Sequence, residues 1–445
     1  MKNEITLEQV LANRERRVKL QEKLLQDYRC TLVSFTMNIA GPVKTSPLIK
    51  RAFDLGVQML EKELTSGSVL YKEITEADTG YEAIYATSEN AAQVKELCLS
   101  IEEGSSIGRL FDLDVIDQGG TKLDRSSARG CIVCGAPGRA CAAARLHSVK
   151  QLQEKTTEIL NEFFLDFDKE QVGRLASMCL VDEVNTTPKP GLVDQNNSGS
   201  HADMDLESFL KSAAALKPYF KDCFSIGNKT ATESRSVTFA QLKAAGILAE
   251  ETMYRATGGV NTHKGVIYSL GILCGAIGRL WMPERPFAAT EQLFKEASRL
   301  AQDAARADFA HADGKTAGER LYLKHNITGI RGQVCDGFPA LRELALPVFQ
   351  NALEKGLDRN EAGVLTLLHL IAHVEDTNLY HRGGESGAAF AKDYARRLLW
   401  QNRLPKEEEL LSMDEEFIKR SLSPGGCADL LALTYFVSSL SKGMV

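Results

Sequence analysis

The spacing of apolar residues changes character once along this 445-residue chain, near residue 165. Upstream, segments with the two-residue alternation of strands are interleaved with helical stretches. Downstream, helical spacing recurs and strand-like alternation is nearly absent. Strand and helix periods present their apolar residues on differently spaced faces. The switch therefore predicts two domains, an α+β domain over 1–165 and an all-α helical bundle over 166–445. No Gly- or Ser-rich linker separates them, so the joint, within 163–169, is expected to be short. In the first domain the spacing predicts helices at 5–30, 46–64 and 90–96, and strands at 31–38, 82–86, 97–101 and 109–117. In the second it predicts helices at 169–184, 205–224, 238–256, 265–280, 290–309, 333–355, 361–374, 385–400 and 428–440.

Basic residues number 53 and acidic residues 59, giving a net charge of −6 spread evenly along the chain. That disfavours bulk nucleic-acid binding. No stretch approaches the roughly 18 uncharged apolar residues of a membrane span, and the charged N-terminus has no export-signal pattern. The 10 cysteines are then expected to be reduced thiols in the cytoplasm.

Gly108-Arg-Leu-Phe-Asp-Leu-Asp-Val-Ile116 is the most informative segment of the first domain. In a strand, Asp112 and Asp114 share one face while Phe111, Leu113 and Val115 point to the core. Carboxylates about 7 Å apart on one face bracket Mg²⁺ well, as nucleotidyl-transfer chemistry requires; a solvated strand face is the bland alternative. Next come Arg125, Arg129, Cys131, Cys134, Arg139, Cys141, Arg145 and His147. The Cys-x2-Cys-x6-Cys-x5-His spacing supplies zinc ligand types. The crowded arginines suit an anionic ligand better, so the expectation is that these four groups do not form a tight Zn²⁺ site.

Together with Asn38-Ile-Ala-Gly-Pro-Val-Lys44, these motifs resemble the apo-citrate-lyase phosphoribosyl-dephospho-CoA transferase family, also called holo-citrate-lyase synthase, over residues 5–160. The resemblance implies a nucleotidyltransferase-like domain, with Asp112 and Asp114 as catalytic metal ligands and Arg109, Arg125 and Arg129 binding substrate.

In the second domain, chemistry concentrates in loops. Thr187-Pro-Lys-Pro-Gly-Leu-Val-Asp194 is held extended by its prolines, and His201-Ala-Asp-Met-Asp205 follows. Such acid density suits a metal–polyphosphate site, although Asp203 or Asp205 also suits a helix cap. Glu250 precedes Gly259-Val-Asn-Thr-His-Lys-Gly265, where Lys264 is placed to meet phosphate at a helix start. Neither a P-loop nor a Rossmann glycine pattern is present. Arg331, Asp376 with Asn378 and Arg382, and Ser423-Pro-Gly-Gly426 with Asp429 repeat the theme. His369 and His373 read as ordinary helix histidines.

Arg331 aside, the five separated motifs at 187–194, 201–205, 259–265, 376–384 and 423–429 resemble the triphosphoribosyl-dephospho-CoA synthase family over residues 170–445. The resemblance implies a fusion of two transferases. One joins ATP to 3′-dephospho-CoA and releases adenine. The other transfers the phosphoribosyl-dephospho-CoA group to a serine of the citrate lyase acyl carrier (gamma) subunit and releases pyrophosphate. Asp203, Asp205 and Glu250 are then the catalytic candidates. Lys189, His201, Asn261, His263, Lys264, Arg331, Asn378, Arg382, Ser423, Gly425 and Gly426 bind substrate, and Asp203, Asp205, Asp376 and Asp429 hold Mg²⁺. The rival readings are a single-function Mg²⁺/ATP phosphotransferase with an accessory domain and a non-enzymatic citrate lyase assembly factor.

Overall fold

The structure is a computed structural model describing residues 4–125, 128–311, 313–315, 317–401 and 403–441. It divides into two compact units, 1–167 and 168–445.

In the first unit, α1 (Leu7–Tyr28) starts at a capping box in which Thr6 and Gln9 exchange side-chain and backbone hydrogen bonds. It is followed by β1 (Thr31–Met37), α2 (Pro47–Glu63), β2 (Val69–Ala77), β3 (Gly80–Thr87), α3 (Ala91–Glu103), β4 (Phe111–Ile116) and α4 (Gly138–Ala143). The strands form one antiparallel sheet in the order β2-β3-β1-β4. Val33 and Phe35 of β1 share a face with Phe111, Leu113 and Val115 of β4, and Phe53 of α2 stacks on Phe35 with ring centroids 5.0 Å apart. On the opposite face, Leu32, Ile84, Ala86 and Ile116 pack with Leu24 of α1. That second face also carries Asp112, opposite Thr36, and Asp114, opposite Ser34.

Two expectations for this unit are corrected. Residues 97–101 are not a strand but the continuation of α3, whose buried Val94, Cys98 and Ile101 recur at helical spacing. Strand β2 escaped notice because it is a solvent-facing edge strand on which few side chains are covered.

Helix α5 (Val149–Asn185) includes the division between the units. The second unit continues with α6 (Leu206–Lys229), α7 (Arg235–Ala256), α8 (Lys264–Leu280), α9 (Thr290–Ala310), α10 (Ala317–His325), α11 (Gly329–Cys335), α12 (Leu346–Glu354), α13 (Arg359–His373), α14 (Thr377–Leu399), α15 (Glu407–Lys419) and α16 (Gly425–Ser441). No strand occurs here among the described residues. The single helix expected at 333–355 is broken, because Gly337 and Phe338 adopt positive φ before Pro339. Helix α14 also starts earlier than expected and is interrupted at Gly384.

Helices α8 and α16 are apolar almost all round and lie at the centre of the bundle, where neighbours cover every face. Glycines let α6 approach α8 backbone to backbone. A Cβ on Gly227 would stand 1.9 Å from the Gly275 carbonyl oxygen. Gly227→Ala is therefore expected to destabilise this unit by about 3 kcal/mol, read as a lower denaturation midpoint, because two helix backbones cannot separate locally.

Candidate functional sites

Each unit holds its own cavity. That of the first unit has a volume of about 1080 Å³ and opens over Asp112 and Asp114. Strand alternation puts both acids on the same side, while Leu113 between them is buried. Asp114 pairs with Lys122 at 2.6 Å. Although its side chain is exposed at the cavity mouth, partial desolvation there, and then the neighbouring Asp114 charge, push the Asp112 pKa up. Arg109, Arg139 and Arg145 also line the wall. Arg125 and Arg129 line it too, but both clamp Glu102, a buried carboxylate that also accepts the Leu113 N–H at 2.8 Å. Their guanidinium groups thus lock α3 to β4 and fix the height of the acidic strand. Glu102 and the buried Lys95, also on the wall, were missed by sequence reading. Once 90–103 is recognised as one helix, both fall on its buried side.

The second cavity, about 820 Å³, gathers loops from across the bundle. The starts of α8, α14 and α16 all reach it, through Lys264 and Gly265, Thr377 and Asn378, and Gly425 and Gly426. Helix N-termini carry partial positive charge, so this mouth favours an anion even though Asn261 and Asp376 cap some of the N–H groups there. Asp203, Asp376 and Asp429 line the same cavity, as do Lys189, His201, Asn261, His263, Arg382 and Ser423.

Sequence-expected residues take distinct structural positions. Asp376 caps two helices. One oxygen accepts N–H groups of Asn378 and Leu379 at the start of α14, and the other accepts that of Cys427 in α16 at 2.8 Å. Gly425 and Gly426 permit this closeness, since a Cβ on Gly425 would lie 2.3 Å from Asn378 Nδ2 and one on Gly426 would lie 3.1 Å from the Asp376 carboxylate. Asp429 accepts no hydrogen bond among the described residues. Burial, and then the Glu183 and Asp376 charges, raise its pKa well above the usual carboxylate range. Gly265 makes room for it, because a Cβ there would stand 2.0 Å from its carboxylate.

Lys189 is folded back into the protein, where its ammonium donates to the carbonyl and carboxylate of Glu183 at 2.7 and 2.5 Å. Glu183 is itself buried on the cavity wall and was not anticipated. Burial raises its pKa against the pull of Lys189.

His201 bridges Arg382 and Ser423. Arg382 can only donate, so Nδ1 accepts at 3.0 Å, and Nε2–H then donates to the Ser423 hydroxyl at 2.8 Å. Burial, then the Arg382 charge, lowers the His201 pKa to about 4, so the ring is neutral at physiological pH. His263 meets Ser212 at 2.7 Å through Nδ1, while its Nε2 is buried with no protein partner among the described residues. Its pKa falls to about 3, by burial and by Lys189 nearby.

Three expected residues lie off the wall among the described residues. Asp205 caps α6 by accepting the Ser208 N–H at 2.9 Å. Glu250 stands behind Lys264, pairing with its ammonium at 2.9 Å. Arg331 sits on the outer side of α11, although Ile330 and Gln333 reach the cavity.

Residues 169–445 match the ATP:dephospho-CoA triphosphoribosyl transferase family, and residues 5–163 match the apo-citrate lyase phosphoribosyl-dephospho-CoA transferase family. The chain is 35% identical to a Haemophilus influenzae protein named CitXG, covering 98% of this chain and 97% of that one. A Leuconostoc mesenteroides protein of the same name is 33% identical over the same shares. A 2-(5″-triphosphoribosyl)-3′-dephosphocoenzyme-A synthase of Pectobacterium atrosepticum is 41% identical over 63% of this chain and 92% of its own length. A chain that matches both families in tandem, and matches the CitXG proteins from end to end, belongs to the family in which an apo-citrate lyase phosphoribosyl-dephospho-CoA transferase domain is fused to an ATP:dephospho-CoA triphosphoribosyl transferase domain.

Proposed function

We propose that the second unit works first, on ATP and 3′-dephospho-CoA, and that the first unit then loads its product onto the acyl carrier (gamma) subunit of citrate lyase, in the cytoplasm. In the first reaction the 2′-hydroxyl oxygen of dephospho-CoA bonds to ribose C1 of ATP. The C1–N bond to adenine breaks, the hydroxyl proton is lost, and adenine leaves as a neutral base. The triphosphate must survive into the product. The observation that carries this reading is the convergence of three helix N-termini, Lys264 and Arg382 on one acid-lined cavity. Those donors suit a triphosphate, held so that only C1 reacts. Neutral His201, with its tautomer set by Arg382, orients the Ser423 hydroxyl toward substrate. The free Nε2 of His263 is placed to take a hydrogen bond from substrate or give one to it.

The acid set is this reading's candidate for a divalent cation: half-buried Asp429 accepts no hydrogen bond among the described residues, and the Glu183 and Asp376 charges act on it. Asp429, Asp203 and Glu183 would hold Mg²⁺, with Asp376 positioning the two helix starts. Bound there, the ion would neutralise triphosphate charge.

In the first unit, the serine hydroxyl of the carrier attacks the phosphorus next to the ribose. The bond to pyrophosphate breaks and the serine proton leaves. Asp112 and Asp114, paired across one residue of a β-strand in an antiparallel sheet, support a nucleotidyltransferase-like assignment and would hold Mg²⁺ for this step. Arg109, Arg139 and Arg145 receive the phosphates.

Mass spectrometry of the carrier after incubation with this chain, ATP, Mg²⁺ and dephospho-CoA tests the pair of reactions. The expected result is a phosphoribosyl-dephospho-CoA adduct on one serine and one adenine per adduct. Formation of ADP would instead indicate a phosphotransferase, and carrier that binds without gaining mass would indicate an assembly factor. The domains 1–165 and 166–445 are proposed to be separable. Expressed apart, the second should release adenine alone, and the first should load carrier only when given the purified intermediate. Two inactive fragments would contradict this.

A further inference from the structure

We propose that Cys131, Cys134, Cys141 and His147 bind one structural Zn²⁺ ion beside the cavity of the first unit. The sequence alone argues against this, because Arg125 and Arg129 precede the cluster and Arg139 and Arg145 are interleaved with it. Folding changes the argument. One ligand atom from each of the four residues lies within 4.8 Å of all the others. A tetrahedral Zn²⁺ with bonds of about 2.3 Å to sulfur places its sulfurs about 3.8 Å apart. The cluster therefore closes on the ion with side-chain adjustments of about 1 Å.

The backbone around the first two thiols is built for the purpose. Cys131 N–H donates to the Ala136 carbonyl at 2.6 Å, and Gly135 N–H donates to the Cys131 carbonyl at 2.9 Å, closing a tight turn. Gly135 takes φ +74, which a side chain would strain. Within the turn, the Val133 N–H points at Cys131 Sγ, 3.4 Å away, an arrangement that favours a thiolate. Helix α4 then returns Cys141, and the turn at Arg145, with φ 50, brings His147 alongside. The second, independent sign is His147 itself. Its Nε2 is buried and has no hydrogen-bond partner among the described residues. Such a nitrogen is costly unless something else satisfies it.

Charge now works in favour of the site. Three thiolates, a neutral imidazole and Zn²⁺ sum to −1, so Arg109, Arg139 and Arg145 on the adjoining wall complement the complex. The ion would tie the turn to α4. The turn is already joined to the cavity wall by Arg109, which donates to the Gly130 carbonyl at 2.8 Å, and by Gly138 N–H, which donates to the Arg129 carbonyl at 2.9 Å. Binding displaces the thiol protons, so it weakens as pH falls.

The test uses the full chain, purified without a histidine tag under reducing conditions with zinc supplied. Elemental analysis should find about one zinc per chain. In the wild-type protein, exposed Cys134 should resist iodoacetamide until a chelator is added, as mapped by mass spectrometry. Cys134→Ser opens no core cavity and should lower zinc affinity at least about tenfold. Replacing zinc with Co²⁺ should give the absorption of tetrahedral cobalt–thiolate, absent in Cys134→Ser. The proposal is overturned by a zinc-free chain whose Cys134 alkylates equally fast with and without chelator. It is equally overturned by zinc that survives Cys134→Ser combined with Cys141→Ser, or by a Cys131–Cys141 disulfide in the native protein.

Discussion

Asp112→Asn should cut transfer to the carrier by about 10³-fold, a loss of ~4 kcal/mol of transition-state stabilisation, while adenine release by the same chain continues at its normal rate. The two carboxylates are not equivalent. Asp114 is already neutralised in part by Lys122 at 2.6 Å. Asp112 has no such partner among the described residues, and it lines the cavity with its pKa raised by partial desolvation and by Asp114. Removing its charge relieves repulsion in the free protein, so folding should not suffer. Lys122→Ala should act in the opposite sense on the ground state, leaving Asp114 unpaired and raising the cation requirement. Carrier mass spectra and adenine chromatography from one reaction mixture read both activities at once. Transfer near the wild-type rate in Asp112→Asn would remove this residue from the chemistry.

How much of this was legible beforehand depends on where each side chain's partner lies in the sequence. The acidic strand was plain, because alternation over 111–116 puts Asp112 and Asp114 opposite three core residues within a single six-residue element. The helix-end loops were equally plain, since Gly, Pro and Asp cluster there for local reasons. Glu102 was not, because Leu-Cys-Leu-Ser-Ile reads as a strand, whereas the helix that starts after Asn90 runs on through it to Glu103. The arginine partners of Glu102 lie 23 and 27 residues further on. Glu183 gave still less sign. An acid on a long helix looks solvated, and only the turn through Pro188 and Pro190 swings Lys189 back to meet it.

Acid density in the loop before α6 could be read, but not the division of labour within it. Asp203 reaches the cavity, whereas Asp205, two residues on, caps α6. Both are acids near a predicted helix start, and capping preference does not separate them. The cysteine cluster shows the same limit from the other side. In the linear sequence the crowded arginines point to an anionic ligand, whereas the proposed zinc site rests on a convergence of four side chains that only folding brings within 4.8 Å.

Asp429→Asn should produce two opposite effects in the second unit. Triphosphoribosyl-dephospho-CoA synthesis should fall by about 10³-fold, measured as adenine release. The substrate-free protein should nevertheless melt at a higher temperature than wild type at pH 7.5. The sign follows from linkage. Burial and the Glu183 and Asp376 charges raise the Asp429 pKa well above its unfolded value. The folded state therefore binds the proton more tightly than the unfolded state. This contribution to stability is complete below the unfolded carboxylate range near 4, and it is lost as pH rises through the folded value. Asparagine removes the loss without emptying the space that Gly265 leaves for the side chain. The gap in melting temperature between variant and wild type should thus be widest in neutral to alkaline buffer and should close toward pH 4. Adding Mg²⁺ with ATP should reverse the order, because a bound cation compensates the wild-type charge and gains little from the amide. A variant that melts below wild type at every pH, or one that retains adenine release, would mean that Asp429 serves packing alone and that the site's cation is held elsewhere. A desolvated carboxylate with no hydrogen-bond donor among the described residues is the kind of local cost that an active site carries for function.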